Sequence, residues 1–584
     1  MNSSPEDETD LPLWVYPKID SDWNNLIVQE FRIHPVTAQI ISARGFKELE
    51  DINQYLYAKL PDLHSPHLFP DMDKAVHRIG KAIVNSENIL IYGDNDVDGM
   101  TGTTLLTELL ETLGARTYYY IPNRSNLKQS LIIDALQYAT KNDCKLLITV
   151  DCGITAAEGV RQVVQNNVDV IITDHHEPTD KIPHCVATLN PKLLNTPYPN
   201  KELTGVGVAF KLAHALINDL IGKGFAIAKE IDLKNYLDLV ALGTISDMGA
   251  LLGENRILVR YGLQQIQTAK RVGLAKLISI SDLNPSNINV THITSKIAPR
   301  LNSLGRIDDP RKGIALLLIK DSKKAEDLAK DLDLNNIERQ KIERLASTDI
   351  NDILTQSPDL LSEKAITLSS NDWHPGIIPI ICTRLSKQYS RPVVIIAIDQ
   401  GIGKGSIRSI PKFPLLNLLK ENAHLLINFG GHDYAAGLSI KEENIEAFQR
   451  EFVKYANSLL QDTDVRTKIY IDAKIDFNQI NFDFMESLNL LEPFGNENPP
   501  PILFSDVNQA WPPKIIGNNH LKFYVEQNER MLEGIAFGMA NKRKFIRKKG
   551  LPLRIAFTPQ INFFQNKTSI QLFIRDFTVE CPTF

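Results

Sequence analysis

Cysteine is scarce in this chain of 584 residues, and neither sign of charge dominates. The five cysteines are scattered and odd in number, so they indicate neither a disulfide framework nor a zinc site. This pattern fits a reducing compartment and predicts a cytoplasmic location. The formal net charge of −6 excludes a protein that is basic overall, so any surface that binds nucleic acid has to be local.

We also expect neither a membrane-spanning segment nor a secretion signal. No apolar run reaches the length that we expect of a membrane helix, and Met1 to Asp10 is polar and acidic instead of basic and then apolar. We therefore expect no membrane partner. With 43% hydrophobic residues, a chain of this length is expected to form several globular domains.

The most informative stretch is a short apolar run that leads directly into acidic residues. Ile89 to Ile91 predict a buried strand. Asp94, Asp96 and Asp98 follow at alternate positions, and from Thr101 the sequence predicts a helix capped by threonine. Carboxylates this close together repel one another unless a cation neutralises them, so the loop predicts a divalent metal site.

Two other interpretations fit the same acidic pattern: the calcium loop of an EF-hand and a solvated acidic turn. The EF-hand loop needs a glutamate at its twelfth position, where this chain, counted from Asp94, has Leu105. It also needs a preceding helix, and the residues before Asp94 predict a strand. A metal site in an α/β domain is the favoured interpretation.

Residues 88–190 alternate between strand-like and helix-like segments, which indicates a parallel sheet with helices on its faces. The predicted strands are 89–92, 117–121, 146–150, 168–173 and 186–189, and the predicted helices are 101–113, 130–141 and 155–166.

Three of these strands are followed by aspartate or histidine, residue types that commonly bind metals in proteins. Asp94 follows the first strand, Asp151 the third, and Asp174-His-His the fourth. A single aspartate at a strand end is more often a turn residue or a cap. The carboxyl ends of parallel strands meet at one edge of a sheet, however, so we expect these side chains to converge. Asp247, after the apolar helical stretch 235–246, is a fourth acidic point.

Together these motifs resemble the DHH phosphoesterase superfamily, which is named for its Asp-His-His sequence. Within it the chain is similar to the RecJ family of single-strand-specific exonucleases, through further motifs that follow in order. These are Gly253-Glu-Asn-Arg, Ala298-Pro-Arg-Leu-Asn-Ser-Leu-Gly-Arg, Trp373-His-Pro-Gly, Gly403-Lys-Gly-Ser-Ile-Arg-Ser, Gly430-Gly-His-Asp-Tyr-Ala-Ala-Gly and Leu491-Glu-Pro-Phe-Gly.

The resemblance implies an α/β protein built from a parallel-sheet DHH domain, a long connecting helix, a smaller α/β DHHA1 domain and a C-terminal β-barrel of the OB-fold type. The expected parts are an N-terminal extension packing on the DHH domain (1–80), the catalytic DHH domain (81–320), the connecting helix (321–357), the substrate-binding DHHA1 domain (358–462) and the barrel (463–584). The connecting helix also fits the Gly- and Pro-free, charged composition of its segment.

The same resemblance implies a 5′-to-3′ exonuclease that releases mononucleotides from single-stranded DNA by two-metal-ion hydrolysis, in DNA repair and recombination. Mixed carboxylate and imidazole ligands favour two Mn²⁺ ions, with Mg²⁺ as the other possibility. Asp151 is expected to bridge the ions. The remaining candidates are Asp96 with Asp94 on one ion, Asp98, His175 and Asp247 on the other, and His176 contacting the scissile phosphate or orienting its neighbour.

Five further residues are candidates for holding the 5′ end of the substrate, because arginine forks and hydroxyls suit a phosphate. They are Arg124, Arg306, Ser406, Arg408 and His432, with Ser406 and Arg408 expected in a glycine-rich turn. A basic run at 541–549 is either a solvated loop or part of a single-strand-binding surface of the barrel. A single-strand-binding protein and a helicase are the expected protein partners.

Two alternative functions remain open at this point. A DHH phosphodiesterase for oligoribonucleotides or small nucleotides would usually be shorter and would lack the barrel. A non-catalytic DHH scaffold of a replication complex would have lost ligands, whereas every acidic position and His175 are present.

Overall fold

A computed structural model of the chain describes residues 12–122, 131–517, 519–546, 549–564 and 567–579. An N-terminal segment, three domains and one long helix make up the fold. The N-terminal segment contains β1 (Leu13–Val15), α1 (Ser21–Phe31), α2 (Pro35–Ala43) and α3 (Leu49–Tyr57).

The first domain is a parallel sheet enclosed by helices. Its strands are β2 (Asn88–Gly93), β3 (Arg116–Tyr120), β4 (Cys144–Val150), β5 (Asp169–Thr173) and β6 (Ala187–Leu189). Its helices are α4 (Met72–Val84), α5 (Val97–Thr112), α6 (Leu131–Lys141), α7 (Ala157–Gln165), α8 (Gly205–Gly222), α9 (Ala226–Glu230), α10 (Leu237–Ser246), α11 (Gly253–Gln267), α12 (Val272–Ile280), α13 (Val290–His292), α14 (Ala298–Ile307) and α15 (Arg311–Leu318).

All neighbouring strands of this sheet run parallel, in the order β3-β2-β4-β5-β6, which confirms the predicted sheet. The central strands β2 and β4 are apolar along most of their length because helices cover both of their faces. As a result, β2, β4 and β5 are adjacent, and their carboxyl ends lie side by side.

Helix α8 corrects one expectation from the sequence. Among the described residues it alone is long and apolar enough to cross a membrane by length and composition, with a mean hydropathy of 1.2 over 18 residues. Within the protein, 72% of that window is buried. It packs against α4, α5 and α10, as a core helix of a globular domain does.

The connecting helix α16 (Ser322–Gln356) joins the cores of two domains. Its N-terminal half buries Ala325, Ala329 and Leu332 in the first domain. Its C-terminal half buries Ile350 and Leu354 in the second. The helix is therefore less solvated than its charged composition suggests, and it packs into the cores of both domains.

The second domain has a five-stranded sheet in the order β10-β11-β9-β8-β7. Its elements are α17 (Asp359–Ser362), β7 (Ile366–Ser370), α18 (Ile378–Tyr389), β8 (Val393–Asp399), β9 (Ile402–Arg408), α19 (Leu415–Glu421), β10 (Leu426–His432), β11 (Ala435–Lys441) and α20 (Glu442–Leu459). The expected glycine-rich turn around Ser406 is wrong, because these residues form β9. Positions 403 and 405 of this strand are glycine because a Cβ at Gly403 or Gly405 would lie 2.7 Å from a neighbouring isoleucine or leucine side chain.

The third domain is a closed barrel of five strands, β14-β15-β16-β18-β17, in which β17 pairs again with β14. Its elements are β12 (Lys468–Tyr470), β13 (Ala473–Lys474), α21 (Phe482–Asn489), β14 (Leu503–Ile516), β15 (His520–Gln527), β16 (Arg530–Ala536), β17 (Pro552–Phe564) and β18 (Lys567–Val579). The barrel was predicted, but the single strand expected at 513–525 is two antiparallel strands, β14 and β15.

The N-terminal segment contacts both the barrel and the first domain, whereas only a contact with the first domain was expected for residues 1–80. Helices α1 to α3 share one apolar core with the barrel, through residues such as Ile27, Ile40 and Leu56. Strand β1 pairs in parallel with β12. Arg256 and Arg260 of α11 donate to the carbonyl oxygens of Tyr55 and Leu56 in α3. The later part, including α4, packs into the core of the first domain. Apolar helical faces alone do not reveal which of two distant cores they cover.

Candidate metal centre

The first acidic loop begins helix α5 earlier than the sequence predicts. Asp96 is the N-cap, and its Oδ1 accepts the backbone N–H groups of Asp98 at 3.0 Å and Gly99 at 3.2 Å. The predicted threonine cap is therefore wrong, because an aspartate five residues earlier satisfies these donors. Asp98 consequently lies in the first helical turn and points into the protein.

Asp98 is fully buried and fastens a second helix to the loop. Its carboxylate accepts the backbone N–H groups of Gly205 at 2.7 Å and Val206 at 2.8 Å, at the N-terminus of α8. The positive end of a helix favours a carboxylate at this place. The third carboxylate of the alternating pattern is thereby held in one orientation.

Asp151 follows β4 in a left-handed backbone conformation with φ of 62°. A residue with a side chain rarely adopts this conformation, and such strain is often found at functional sites. A Cβ at Gly205 would lie 2.6 Å from the Cβ of Asp151, so only glycine permits this approach of α8. This contact explains why position 205 is glycine.

Asp174 organises the Asp-His-His turn after β5. Its Oδ1 accepts the backbone N–H of His175 at 2.7 Å and lies 2.8 Å from His176 Nδ1, and its Oδ2 accepts the N–H of Ile154 at 2.9 Å. Both carboxylate oxygens of Asp174 thus hold the local backbone, and neither belongs to the converging sets of ligand atoms. Asp174 orients the two histidines and is not placed among the candidate metal ligands that converge below.

The remaining candidates converge at the edge of the sheet. Ligand atoms lie within 4.8 Å of one another in three sets, which are Asp94, Asp96 and Asp151; Asp98, His175 and Asp247; and Asp151, His175 and His176. His175 Nε2 is 3.0 Å from Asp151 Oδ1, 3.7 Å from Asp247 Oδ2 and 3.9 Å from Asp98 Oδ2. Asp151 therefore lies between an acidic set and a mixed carboxylate–imidazole set.

The electrostatics of the cluster are those of an acidic site that favours a cation. Burial, with the charges of neighbouring aspartates, raises the pKa of both Asp98 and Asp151 well above the ordinary value. Burial, together with the charge of Asp96, also raises the pKa of Asp247 to about 7. A bound cation would relieve this repulsion and the desolvation of the carboxylates.

The two histidines have different protonation behaviour. Burial, and then the charge of His176, lowers the pKa of His175 to about 4, so its imidazole is neutral and can bind a metal. The hydrogen bond with Asp174 raises the pKa of His176 to about 9. His176 is therefore cationic at neutral pH, which suits contact with a phosphate better than metal ligation.

The residues present fit a pair of divalent cations. Asp151 Oδ1 is buried and, among the described contacts, has no hydrogen-bond donor, so its lone pairs are available. A site of carboxylate oxygens with one imidazole suits Mn²⁺. Mg²⁺ prefers ligands that are all oxygen, so it fits this set less well. Asp94 and Asp96 would complete one position, and Asp98, His175 and Asp247 the other.

Helix α14 supports the first acidic loop, a role that was not predicted. Asn302 Oδ1 accepts the backbone N–H of Val97 at 3.3 Å. A Cβ at Gly305 would lie 2.5 Å from the carbonyl oxygen of Asn95, so glycine is needed for this packing. Both residues belong to the Pro-Arg-Leu-Asn-Ser-Leu-Gly-Arg motif, whose presence was the available signal.

The candidate substrate residues of the second domain lie on its strands facing the first domain. On β9, Arg408 donates through Nη1 to Ser406 Oγ at 3.1 Å and through Nε to Thr383 Oγ1 at 2.9 Å. Burial and then the charges of Arg408 and Lys192 lower the pKa of His432, at the end of β10. These contacts bring three of the five candidates together.

Lys192 links this group to the metal centre and was missed in the sequence. Besides acting on His432, its charge lowers the pKa of both His175 and Asp247. It follows β6, the neighbour of β5, so its position at the same sheet edge could have been inferred from the strand pattern. The cleft between the two domains therefore has cationic groups beside the acidic cluster.

Arg306 lies at the same domain junction, and Arg124 lies outside the described residues. Arg306 Nη1 donates to the carbonyl oxygen of Gly376 in the second domain at 2.7 Å. It lines a cavity of 330 Å³ together with Ser246, Met248 and Arg339. This cavity adjoins the segment that carries Asp247.

Comparisons with known proteins agree across the whole chain. Family models match for the DHH family N-terminal domain at residues 88–244, the DHHA1 domain at 362–458 and the RecJ OB domain at 471–576. The single-stranded-DNA-specific exonuclease RecJ of Bacillus subtilis is 33% identical over 570 residues, covering 97% of this chain and 71% of the relative. The Haemophilus influenzae protein of the same name is 33% identical over 555 residues, covering 93% and 96%.

Solved structures give the same result. The chain is similar to RecJ in complex with Mn²⁺ from Thermus thermophilus, with a TM-score of 0.81, 28% identity, and coverage of 97% of this chain and 80% of that chain. The Mg²⁺ complex of that protein matches with a TM-score of 0.73 and 25% identity, covering 97% and 79%.

Proposed function

The chain belongs to the RecJ family of single-stranded-DNA-specific exonucleases, and we propose that it removes mononucleotides from the 5′ end of single-stranded DNA, at the metal centre beside the domain cleft. It is accordingly a metal-dependent hydrolase of the DHH family. The observation that carries the proposal is the convergence of two ligand sets, one of Asp94, Asp96 and Asp151 and one of Asp98, His175 and Asp247. They meet where Asp151 Oδ1 lies 3.0 Å from His175 Nε2.

The proposed chemistry assigns a separate task to each group of residues. When bound, two metal ions supply an activated water and neutralise charge on the phosphate that is cleaved. Asp94, Asp96 and Asp151 would hold one ion, and Asp98, His175 and Asp247 would hold the other with Asp151 shared. We infer Mn²⁺ as the preferred ion, since an imidazole is among the ligands.

His176 would bind the scissile phosphate. Its hydrogen bond with Asp174 keeps it cationic and fixes its ring, so it can donate to a phosphate oxygen without changing its charge. This assigns the second histidine of the motif to the substrate and the first to the metal.

The proposed 5′ polarity is supported by the group around β9. Ser406, Arg408 and His432 offer a hydroxyl, a guanidinium and an imidazole on one side of the cleft, with Lys192 opposite. A terminal phosphate is a compact dianion and suits such a set better than an internal phosphate does. We place Arg306 and Arg124 in the same pocket, one nucleotide from the metals.

The barrel is proposed to bind the rest of the single strand through one outer face. Phe537 and Phe573 are stacked at 4.8 Å, His520 lies 4.9 Å from Phe537, and the Arg575 guanidinium lies 4.6 Å from the Phe573 ring centroid. Aromatic rings beside cations are what single-stranded nucleic acid stacks on. Lys542, from the basic run, pairs with Asp576 at 2.6 Å. The aromatic face is therefore a better candidate for binding the strand than this lysine is.

We further propose the cellular setting that the family resemblance implies: DNA repair and recombination in the cytoplasm, with a single-strand-binding protein and a helicase as partners. The four cysteines that the structure describes are free thiols, in accord with a reducing compartment. Pull-down of the full chain with each partner class, with and without single-stranded DNA, tests the partner proposal.

End-labelled substrates test the function and its alternatives. Strands labelled at the 5′ or the 3′ end should release labelled mononucleotide early only from the 5′ end, and only with Mn²⁺ or Mg²⁺. Early release from the 3′ end would refute the polarity. Preference for oligoribonucleotides would favour the phosphodiesterase alternative, and no metal-dependent release would favour the scaffold.

A further inference from the structure

The loop at residues 491–498 of the third domain, which we call the clamp loop, contacts the segment that directly follows Asp247. Asn496 Nδ2 donates to the carbonyl oxygen of Met248 at 2.6 Å. The carbonyl oxygen of Asn496 accepts the backbone N–H of Leu251 at 3.0 Å. One residue of the barrel domain thus bonds to both ends of a four-residue stretch of the first domain.

That stretch has little freedom to adjust. The N–H of Asp247 donates to Gly243 at 2.9 Å and ends helix α10, and Met248 follows with φ of 58°. A Cβ at Gly495 would lie 2.5 Å from the Cδ1 of Leu251, so the clamp loop packs closely against this leucine. Asp247 therefore lies between the last helical residue, Ser246, and Met248, whose carbonyl oxygen is bonded to Asn496.

The clamp loop is itself held rigidly. Asn498 is fully buried, and its Nδ2 donates to the carbonyl oxygens of Leu491 and Pro493 at 2.9 and 2.8 Å. Its Oδ1 accepts the hydroxyl of Tyr55 at 2.8 Å. From the first domain, Arg256 donates to the Leu491 carbonyl at 2.9 Å. A loop held in this way can restrain the segment 248–251 that it contacts.

We propose that Asn496 is a positioning residue of the metal centre, acting through the backbone of Met248 on the carboxylate of Asp247. The third domain would then complete the geometry of a site whose ligands all lie in the first. The inference rests on the proposed metal centre, in which Asp247 Oδ2 lies 3.7 Å from His175 Nε2. Residues that orient a metal ligand commonly change metal affinity by about 10–100-fold when lost.

Direct Mn²⁺ binding tests the inference without relying on activity. Free Mn²⁺ is measured by electron paramagnetic resonance during titration of the full chain, in wild type, Asn496→Ala and Asn496→Asp. The aspartate variant keeps the size of the side chain but loses the donor to Met248. Asn489→Ala, an exposed substitution of the same type at the end of α21, is the control, and Asp247→Asn reports on the site itself.

Both Asn496 variants should need about tenfold more Mn²⁺ for half-saturation. The melting temperature of the metal-free protein should stay close to wild type, and excess Mn²⁺ should restore turnover. Asn489→Ala should bind like wild type. A merely structural role would instead lower the melting temperature and leave turnover low at saturating Mn²⁺, which would overturn the inference.

The other outcomes separate the inference from its premise. Wild-type affinity in both Asn496 variants, with weak binding by Asp247→Asn, would overturn the positioning role alone. Wild-type affinity in Asp247→Asn would overturn the assignment of that ligand, and with it the inference.

Discussion

Replacing Asp151 by asparagine should abolish hydrolysis while making the metal-free protein more stable. The Asp151 carboxylate is buried among Asp98 and Asp96, whose charges add to burial in raising its pKa. An amide of the same size removes this repulsion. Asparagine also tolerates the left-handed backbone at this position. We expect a gain of about 0.5–2 kcal/mol in the free energy of unfolding, the usual range for a single stabilising substitution.

Alanine at the same position separates the two effects. It also removes the charge, but at φ of 62° its Cβ costs about 1–2 kcal/mol that asparagine largely avoids. Asp151→Ala should therefore be less stable than Asp151→Asn by about that amount. Asp143→Asn is the matched control, since Asp143 also has a positive φ of 50° and an exposed side chain.

The assay combines thermal unfolding with turnover, each with and without Mn²⁺. A ligand at one hundred times its Kd stabilises a protein by about 2.7 kcal/mol, so Mn²⁺ should raise the Tm of wild type and of the Asp143 control. Neither Asp151 variant should show this rise, and turnover should fall on the order of a thousandfold or more. An Asp151→Asn variant with a lower metal-free Tm than wild type, or with turnover within tenfold of it, would refute the reasoning.

Four further predictions follow from the same geometry. Gly205→Ala should cost about 1–3 kcal/mol and lower turnover, because its Cβ would lie 2.6 Å from that of Asp151, the proposed bridging ligand; normal turnover in the folded variant would contradict this. Mn²⁺ should bind more tightly as pH rises through about 7, because burial raises the pKa of Asp247 to about 7 and a ligand must lose its proton; calorimetric titrations across that range test it, and a flat affinity would be contrary. Arg408→Ala should raise KM for 5′-phosphorylated strands and lower kcat/KM about tenfold to a hundredfold, or about 1.5–3 kcal/mol. Paired digestions of 5′-phosphate and 5′-hydroxyl strands measure this. An unchanged preference for the 5′-phosphate would show the pocket to be misplaced. The double variant Phe537→Ala with Arg575→Ala should weaken affinity for single-stranded DNA by about 1–3 kcal/mol per lost stacked base, while kcat at saturating DNA stays unchanged. Fluorescence anisotropy over a salt series measures the affinity. Unaltered affinity would show that the strand binds to another surface.

Point substitutions test the barrel better than its deletion does. The barrel shares an apolar core with α1–α3, and its clamp loop contacts the segment after Asp247. Removing residues after about 465 would therefore expose that core and disturb the metal centre. Loss of turnover in such a truncation would say little about DNA binding.

The sequence was sufficient to predict that strand-end residues converge. Parallel strands place their carboxyl ends on one edge, so Asp94, Asp151 and His175 had to approach one another once the βαβ pattern was recognised. The exact start of α5 was not predictable in the same way. Gly99 lies in the first turn of this helix, and a Cβ there would lie 2.4 Å from the carbonyl oxygen of Asp94. Only the packed structure shows this contact.

Contacts between distant segments were the least predictable part. Gly403 and Gly405 suggested a turn, whereas the side chains that exclude a Cβ there come from neighbouring strands. Asn496 likewise carries no local sign of its contact with Met248, which lies in another domain. Periodicity specifies which face of an element is apolar, but not which core receives it.

Anomalous scattering from crystals grown with Mn²⁺ tests the central claim most directly. The claim is that two ions bind at the sheet edge and share Asp151. It predicts two manganese peaks, one beside Asp94 and Asp96 and one beside His175 and Asp247, with Asp151 contacting both. A single peak, or two peaks of which neither contacts Asp151, would contradict it.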